Sequence, residues 1–305
     1  MPQTAPVLVT GAAGAVGGVG RHVVTLLRAS NIPVRAVVRR DDDRAAQLRD
    51  LGAEVVIADL SKSEQVFPLL AGCKRIFFST SVSSQYLEST MVMAASARAQ
   101  GDIELLVNMS QMTVSEIDLT HVTESPQHRL QFLSEQALNW SGVPVTHLRA
   151  TAFQENPLFW GFAAKSIETT GTVSMPFGKS RVNPIAAKDV SEVAATVLMN
   201  PSKYAGQVLE LTGPKSADMY GVVAEYSTAL GREISYVPVT LDEWKEMAQK
   251  STGSDHTDHH IMTMAKLHAE GRYDRYTDSV KEILGRPATS LSETIKNDRS
   301  HFPVS

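Results

Sequence analysis

The residues with the clearest chemical potential lie between positions 7 and 43. Val7-Leu8-Val9-Thr10 runs into Gly11-Ala12-Ala13-Gly14-Ala15-Val16-Gly17-Gly18-Val19-Gly20. Glycines between a strand and a helix allow a tight turn. They also let backbone N–H groups approach a pyrophosphate at the helix N-terminus, where the peptide dipole favours negative charge. The alternative is a glycine-rich turn without a ligand, but the position at the head of an alternating strand–helix chain favours a dinucleotide. Gly11, Ala13, Gly14, Gly17, Val19 and Gly20 are the expected phosphate contacts. The next strand ends in Arg39-Arg40, where an NAD-preferring site usually places an acidic residue for the ribose 2′-hydroxyl. Guanidinium groups suit a 2′-phosphate instead, so NADP(H) is expected ahead of NAD(H). Asp41, Asp42 and Asp43 follow at once and complicate this: one of them neutralises the arginines or reaches a ribose, or the whole segment is an exposed strand end.

Further candidates fall after later strands. Ser79, Thr80 and Ser81 follow the fourth and would line the ribose and nicotinamide. Ser110 follows the fifth, either orienting a carbonyl or quinone oxygen or standing as an ordinary loop serine. His128, in the next helix, is a proton donor or a surface histidine. Phe153, Glu155, Asn156, Phe159 and Trp160 form an aromatic and polar cluster that suits a flat conjugated substrate, with Met109 at its border; for Trp160, packing within the C-terminal lobe is the adopted reading. His256 and His260 share a helix face and invite a metal, but no firm third ligand stands beside them and no metal site is expected.

The elements that must position these groups follow from hydrophobic patterning. Strands are read at 6–10, 33–38, 54–58, 75–79, 104–109 and 145–148. Helices are read at 19–29, 44–51, 84–100 (ended by Gly101) and 126–141, and Ser61-Lys62-Ser63-Glu64 reads as a capping box opening another. Apolar strands separated by long helices imply parallel pairing with right-handed crossovers, hence an α/β Rossmann-type doubly wound sheet. Beyond Arg149 strand-like pieces become sparse (172–175, 208–211, 234–237), and helices are read at 218–230, 241–249, 259–269 and 278–284. The expected organisation is a dinucleotide-binding domain over 1–150 and a smaller, mostly helical substrate-binding lobe over 151–305 that shares some elements with the sheet.

Composition narrows the class. The 305 residues are 43% hydrophobic and 20% charged, which excludes wholesale disorder. The single cysteine, Cys73, excludes an intramolecular disulfide and a Cys-rich zinc site. A net charge of −4 argues against a nucleic-acid partner. Neither a signal peptide nor an apolar run long enough to span a bilayer is read, so a cytoplasmic protein without a membrane partner is expected.

Taken together, these segments resemble the NmrA-like family, a branch of the atypical short-chain dehydrogenases. The likeness is carried by residues 7–24, by Gly52-Ala53-Glu54-Val55-Val56-Ile57-Ala58-Asp59-Leu60, by 142–149 with Phe153-Gln154-Glu155-Asn156, by Asn183-Pro184-Ile185-Ala186-Ala187-Lys188-Asp189-Val190, and by 206–214. The resemblance implies NADP(H), with Asp59 and Leu60 beside the adenine and Phe153 and Asn156 at the pocket. It implies either a reductase of planar quinone, azo or triphenylmethane compounds, acting as monomer or homodimer, or a non-catalytic NADP(H)-sensing regulator with a protein partner. Two departures stand out. The glycine turn is about three residues longer than the family's usual one. The Tyr-x-x-x-Lys dyad of ordinary short-chain dehydrogenases is missing, its positions falling near Gln127 and Gln131, neither of which titrates. Gln131 is retained as a cofactor contact, and Ser110, His128 and Asn156 as the candidate catalytic residues.

Overall fold

Short runs of β-branched and large apolar residues make the strands, and because helices cover both faces these strands need no polar alternation. In the computed structural model, which describes every residue except 1–4, 15, 122, 157–159, 249–253, 301 and 303–305, the first half alternates as the patterning implies. The order is β1 (Val7–Val9), α1 (Val19–Ala29), β2 (Val34–Val38), α2 (Asp43–Asp50), β3 (Glu54–Ile57), α3 (Ser63–Leu69), β4 (Arg75–Phe78), α4 (Tyr86–Gln100), β5 (Leu105–Gln111), α5 (Pro126–Trp140) and β6 (Val145–Ala150). Then come α6 (Gly161–Thr170), β7 (Thr172–Met175), α7 (Ala187–Met199), α8 (Pro201–Tyr204), β8 (Val208–Leu211), α9 (Met219–Leu230), β9 (Ser235–Pro238), α10 (Leu241–Ala248), α11 (Asp255–Ala269), α12 (Ser279–Leu284) and α13 (Leu291–Asn297).

Seven strands form a parallel sheet ordered β3-β2-β1-β4-β5-β6-β8. Val7 of β1 pairs with Val34 on one side and Arg75 on the other, so the strand order reverses at β1. Loops on the two sides of such a reversal leave a crevice at the carboxyl ends of the strands. β1 and β4 are almost wholly buried, while the edge strand β3 is half-exposed.

The chain divides into two compact units. Residues 1–122, 127–149 and 190–209 form the first, and 123–126, 150–189 and 210–305 the second. A core around Leu8, Val37, Ile76, Phe78 and Leu106 holds the first. The second is built around aromatic side chains, with Trp160 edge-on to Phe302 and Trp244 fully buried. It contains a parallel pair of strands, β7 and β9. Trp160 therefore packs in a core, as expected from the sequence. Among the described residues no helix is long and apolar enough to cross a membrane.

Two local expectations are corrected. The capping box expected at Ser61–Glu64 does not form: α3 begins at Ser63 with no side-chain cap, because the Ser61 hydroxyl donates to Asp59 (2.9 Å). A true capping box instead joins Ser290 and Glu293 at the head of α13. Ser110 does not follow β5 but lies within it, as the strand runs on to Gln111.

Candidate functional site

The glycine corner is assembled by close approach. A Cβ on Gly20 would stand 2.6 Å from the Gly11 carbonyl oxygen, so only glycine lets α1 lie against the turn. Gly18, at φ 58°, turns the chain into α1. No side chain caps that helix, and its first turn holds no acidic residue. Thr10, which sequence reasoning passed over, ties the two strand ends across the reversal: its hydroxyl donates to the Ser79 carbonyl and accepts the Ser79 N–H, both at 2.8 Å. Ser79 and Thr80 are half-buried beside this corner and Ser81 is exposed.

At the end of β2, Arg39 and Arg40 are exposed, and among the described residues neither forms an ion pair. The aspartates that follow are engaged elsewhere. Asp41 pairs with Arg49 at 2.8 Å. Asp42 caps α2 by accepting the Arg44 N–H and binds the Arg44 guanidinium at 2.5 Å. The remaining Arg44 nitrogen donates to the Ala13 carbonyl at 3.0 Å, tying the glycine turn to α2. This brace joins residues 31 apart and has no local signature in the sequence. Asp59 accepts the backbone N–H and hydroxyl of Ser61, which hold its carboxyl below the usual range, and the Arg39 charge adds to the effect. Leu60 is half-buried against the first unit's core.

The end of β5 is built differently. Ser110 is buried, and its hydroxyl donates to Glu135 at 2.5 Å. Glu135 is 1% exposed and receives both arms of Arg149, at 3.1 and 2.6 Å. A buried carboxylate must be paired, and Arg149, quoted above only as part of a motif, is its partner. His128, read as a donor or a surface histidine, is completely buried and hydrogen-bonded to Gln111. At the two dyad positions, Gln127 accepts the Ser83 N–H at 3.2 Å and Gln131 hydrogen-bonds the Tyr86 phenol. Burial pushes that phenol's pKa up, and its proton goes to the Met109 carbonyl at 3.2 Å. Met109 itself is half-buried.

In the second unit, Phe153 bridges to Ile185, and the Asn156 carbonyl accepts the Trp160 N–H at 2.9 Å. Glu155, expected at a pocket, holds the head of α7. Both its oxygens accept the N–H of Ala187, the first residue of α7, at 3.2 and 3.0 Å. Burial, with Asp189 and Asp298 adding to it, lifts its pKa to about 6. Asp189, fully buried, is neutralised by Arg286 at 2.7 Å and by the N–H and hydroxyl of Thr289. Phe159 lies outside the described residues. His260 is buried with Nδ1 3.3 Å from the Ser125 hydroxyl, and among the described residues no group of three or more His, Cys, Asp or Glu could hold a metal ion.

Comparison with known proteins gives one consistent picture. The model of the NmrA-like family matches residues 3–298. An NAD(P)H azoreductase of Xenophilus azovorans is 27% identical over 95% of this chain and 97% of its own length. Among solved structures, the Citrobacter sp. triphenylmethane reductase complexed with NADP(H) superposes with a TM-score of 0.80 at 20% identity, covering 96% of this chain and 99% of that one. NmrA, a negative transcriptional regulator in complex with NADP, superposes with a TM-score of 0.77 at 18% identity, covering 96% and 95%.

Proposed function

The chain belongs to the NmrA-like family, and from that premise we propose that it is an NADPH-dependent reductase whose acceptor is a planar electrophile such as a quinone or an azo compound. The observation that carries the cofactor half is the state of Arg39 and Arg40: two exposed guanidinium groups that form no ion pair among the described residues, beside a glycine turn whose helix opens uncapped. An anion at that helix N-terminus and a phosphate on the arginines would complete what the protein leaves unpaired. The residues therefore fit NADP(H). Gly11 to Gly20 would receive the pyrophosphate, Arg39 with Arg40 the 2′-phosphate, and Asp59 with Leu60 the adenosine. Ser79, Thr80, Ser81, Gln131 and Phe153 complete the proposed cofactor contacts. When bound, the cofactor supplies a hydride donor.

The protein's own part in the chemistry is to bind and orient. Ser110 has its proton on a carboxylate, and Gln127 and Gln131 replace a titrating dyad, so no relay of the Tyr–Lys kind is built here. Quinones and azo compounds take a proton from water after reduction, so they suit a protein built this way. Phe153 and Asn156 are assigned to the acceptor by family likeness, and Met109 and Phe159 by the residue pattern alone. Similarity to an azoreductase over nearly the full length supports the acceptor class. The test is a fluorescence titration with NADPH and NADH, followed by NADPH oxidation with quinone and azo acceptors. Preference for NADPH with acceptor-dependent turnover is the expected result, and inertness across quinones, azo dyes and enones would overturn the reductase.

The closed hydrogen bonding among Ser110, Glu135 and Arg149 also favours a second reading, an NADP(H)-sensing regulator that engages a protein partner. That reading requires different affinities for NADP⁺ and NADPH without turnover, because a ligand shifts an equilibrium only by differential affinity.

A further inference from the structure

Arg39 and Arg40 are followed by three consecutive carboxylates, an unusual neighbourhood for a 2′-phosphate. Left to themselves, Asp41, Asp42 and Asp43 would compete for the arginines and repel a phosphate that carries nearly two negative charges near neutral pH. The structure sorts these charges. Arg49, eight residues on, holds Asp41 at 2.8 Å. Arg44 holds Asp42 through Nε and Nη2 and fastens the pair to the Ala13 carbonyl with Nη1. Asp43 is the first residue of α2, facing the positive end of that helix's dipole. Each aspartate thus has a source of positive charge other than Arg39 and Arg40.

We infer that Arg49 and Arg44 are specificity-determining residues for the cofactor: as counter-ions of Asp41 and Asp42, they keep the acidic run from occupying or screening the two arginines that select a 2′-phosphate. The inference rests on the NADPH reading given above. Neither residue needs to touch the nucleotide. The effect acts through charge, so it is selective: NADH lacks the 2′-phosphate and is nearly blind to the change.

The experiment measures dissociation constants of NADPH and NADH for the full chain by fluorescence titration, at low and at high salt. The variants are Arg49→Ala, Arg49→Lys, Arg44→Ala and the double variant Asp41→Asn/Arg49→Ala. Arg49→Ala is expected to cut the preference for NADPH about three- to sevenfold at low salt, the scale of one uncovered charge acting through water. High salt should erase most of that loss. Arg49→Lys should keep the preference, and Asp41→Asn in the double variant should restore it. Arg44→Ala should lower the preference too, and also weaken NADH, because its hold on the glycine turn is lost. A merely structural role for Arg49 would weaken both nucleotides in parallel, and that result overturns the inference. So does an unchanged preference in Arg49→Ala, or a double variant no better than the single. A wild-type chain that binds the two nucleotides equally, or neither, overturns the NADPH reading itself.

Discussion

Two corners at the carboxyl ends of one sheet handle their polar groups in opposite ways. At β1 and β2, two guanidinium groups face solvent without an ion pair among the described residues, and α1 opens with no side-chain cap. At β5 and α5, Ser110, Glu135 and Arg149 are drawn inside and satisfy one another. The physical difference is where the missing partner must come from. The first corner gains by receiving an anion from outside. Within the second, the Ser110–Glu135–Arg149 group has little left to offer a ligand, and removing any member leaves a buried group stranded, while Asn108 Oδ1, Gln131 Oε1 and Ser134 Oγ beside it are buried without a hydrogen-bond partner among the described residues. Under the proposed NADPH reading, the contrast separates a binding region from a supporting one, and the cofactor's selectivity would lie in the part of the chain that carries the glycines rather than where a catalytic dyad would be sought.

The largest effect should come from opening the closed corner. Arg149→Met strands a carboxylate that is 1% exposed, and loss of about 3–5 kcal/mol of stability is expected in urea unfolding. Replacing Glu135 by Leu in the same protein should recover most of that loss. A single variant as stable as the parent would mean that the corner is not closed at all. At the open corner the expected effect is on affinity instead. Arg39→Ala should weaken NADPH roughly 10- to 100-fold, the range for losing a charge-assisted contact, while NADH binding and the unfolding midpoint stay put. Should stability fall as well, the distinction between the corners would blur. Gly20→Ala is the intermediate case, because it pushes a methyl against backbone at 2.6 Å. It should cost about 1–3 kcal/mol and weaken both nucleotides together, since it displaces the turn rather than a charge.

The open corner was largely legible in the sequence, because glycines and arginines report their conformational freedom and charge by type alone. What stayed hidden was the fate of Asp41 to Asp43. The Asp41–Arg49 pair spans eight residues and depends on where α2 begins. The closed corner was harder to see for a different reason. The buried face of α5 consists of Gln127, His128, Gln131, Ser134, Glu135 and Leu138. Hydrophobic periodicity is the main signal of a buried helix face, and this face is polar at five of six positions, so the pattern favours a surface reading for His128. Ser61 shows the same limit on a smaller scale: the capping pattern was present, but Asp59 stood two residues upstream as a better partner.

A smaller effect, in pH, sharpens the contrast further. His147 is buried in the closed corner. Its Nδ1 faces the Asn108 amide nitrogen at 3.1 Å and its Nε2 faces the Asn139 amide oxygen at 2.9 Å. An amide nitrogen only donates, so Nδ1 accepts, the proton sits on Nε2, and the ring is neutral. Burial holds its pKa below the ordinary 6.5. The unfolded chain therefore takes up a proton first as pH falls through 6.5, and stability drops below that point. His260 and His268, both buried and lowered to about 4, push in the same direction from the second unit. Glu155, lifted to about 6, opposes them by taking up its proton first in the folded state; with three histidines against one carboxyl, wild-type stability should still fall between pH 6.5 and 5, and His147→Gln should remove one proton's share of the slope, at most about 1.4 kcal/mol per pH unit. The decisive quantity is the difference in slope between variant and parent. A slope unchanged by His147→Gln would mean that the ring titrates as it does in water, and that the corner admits solvent after all.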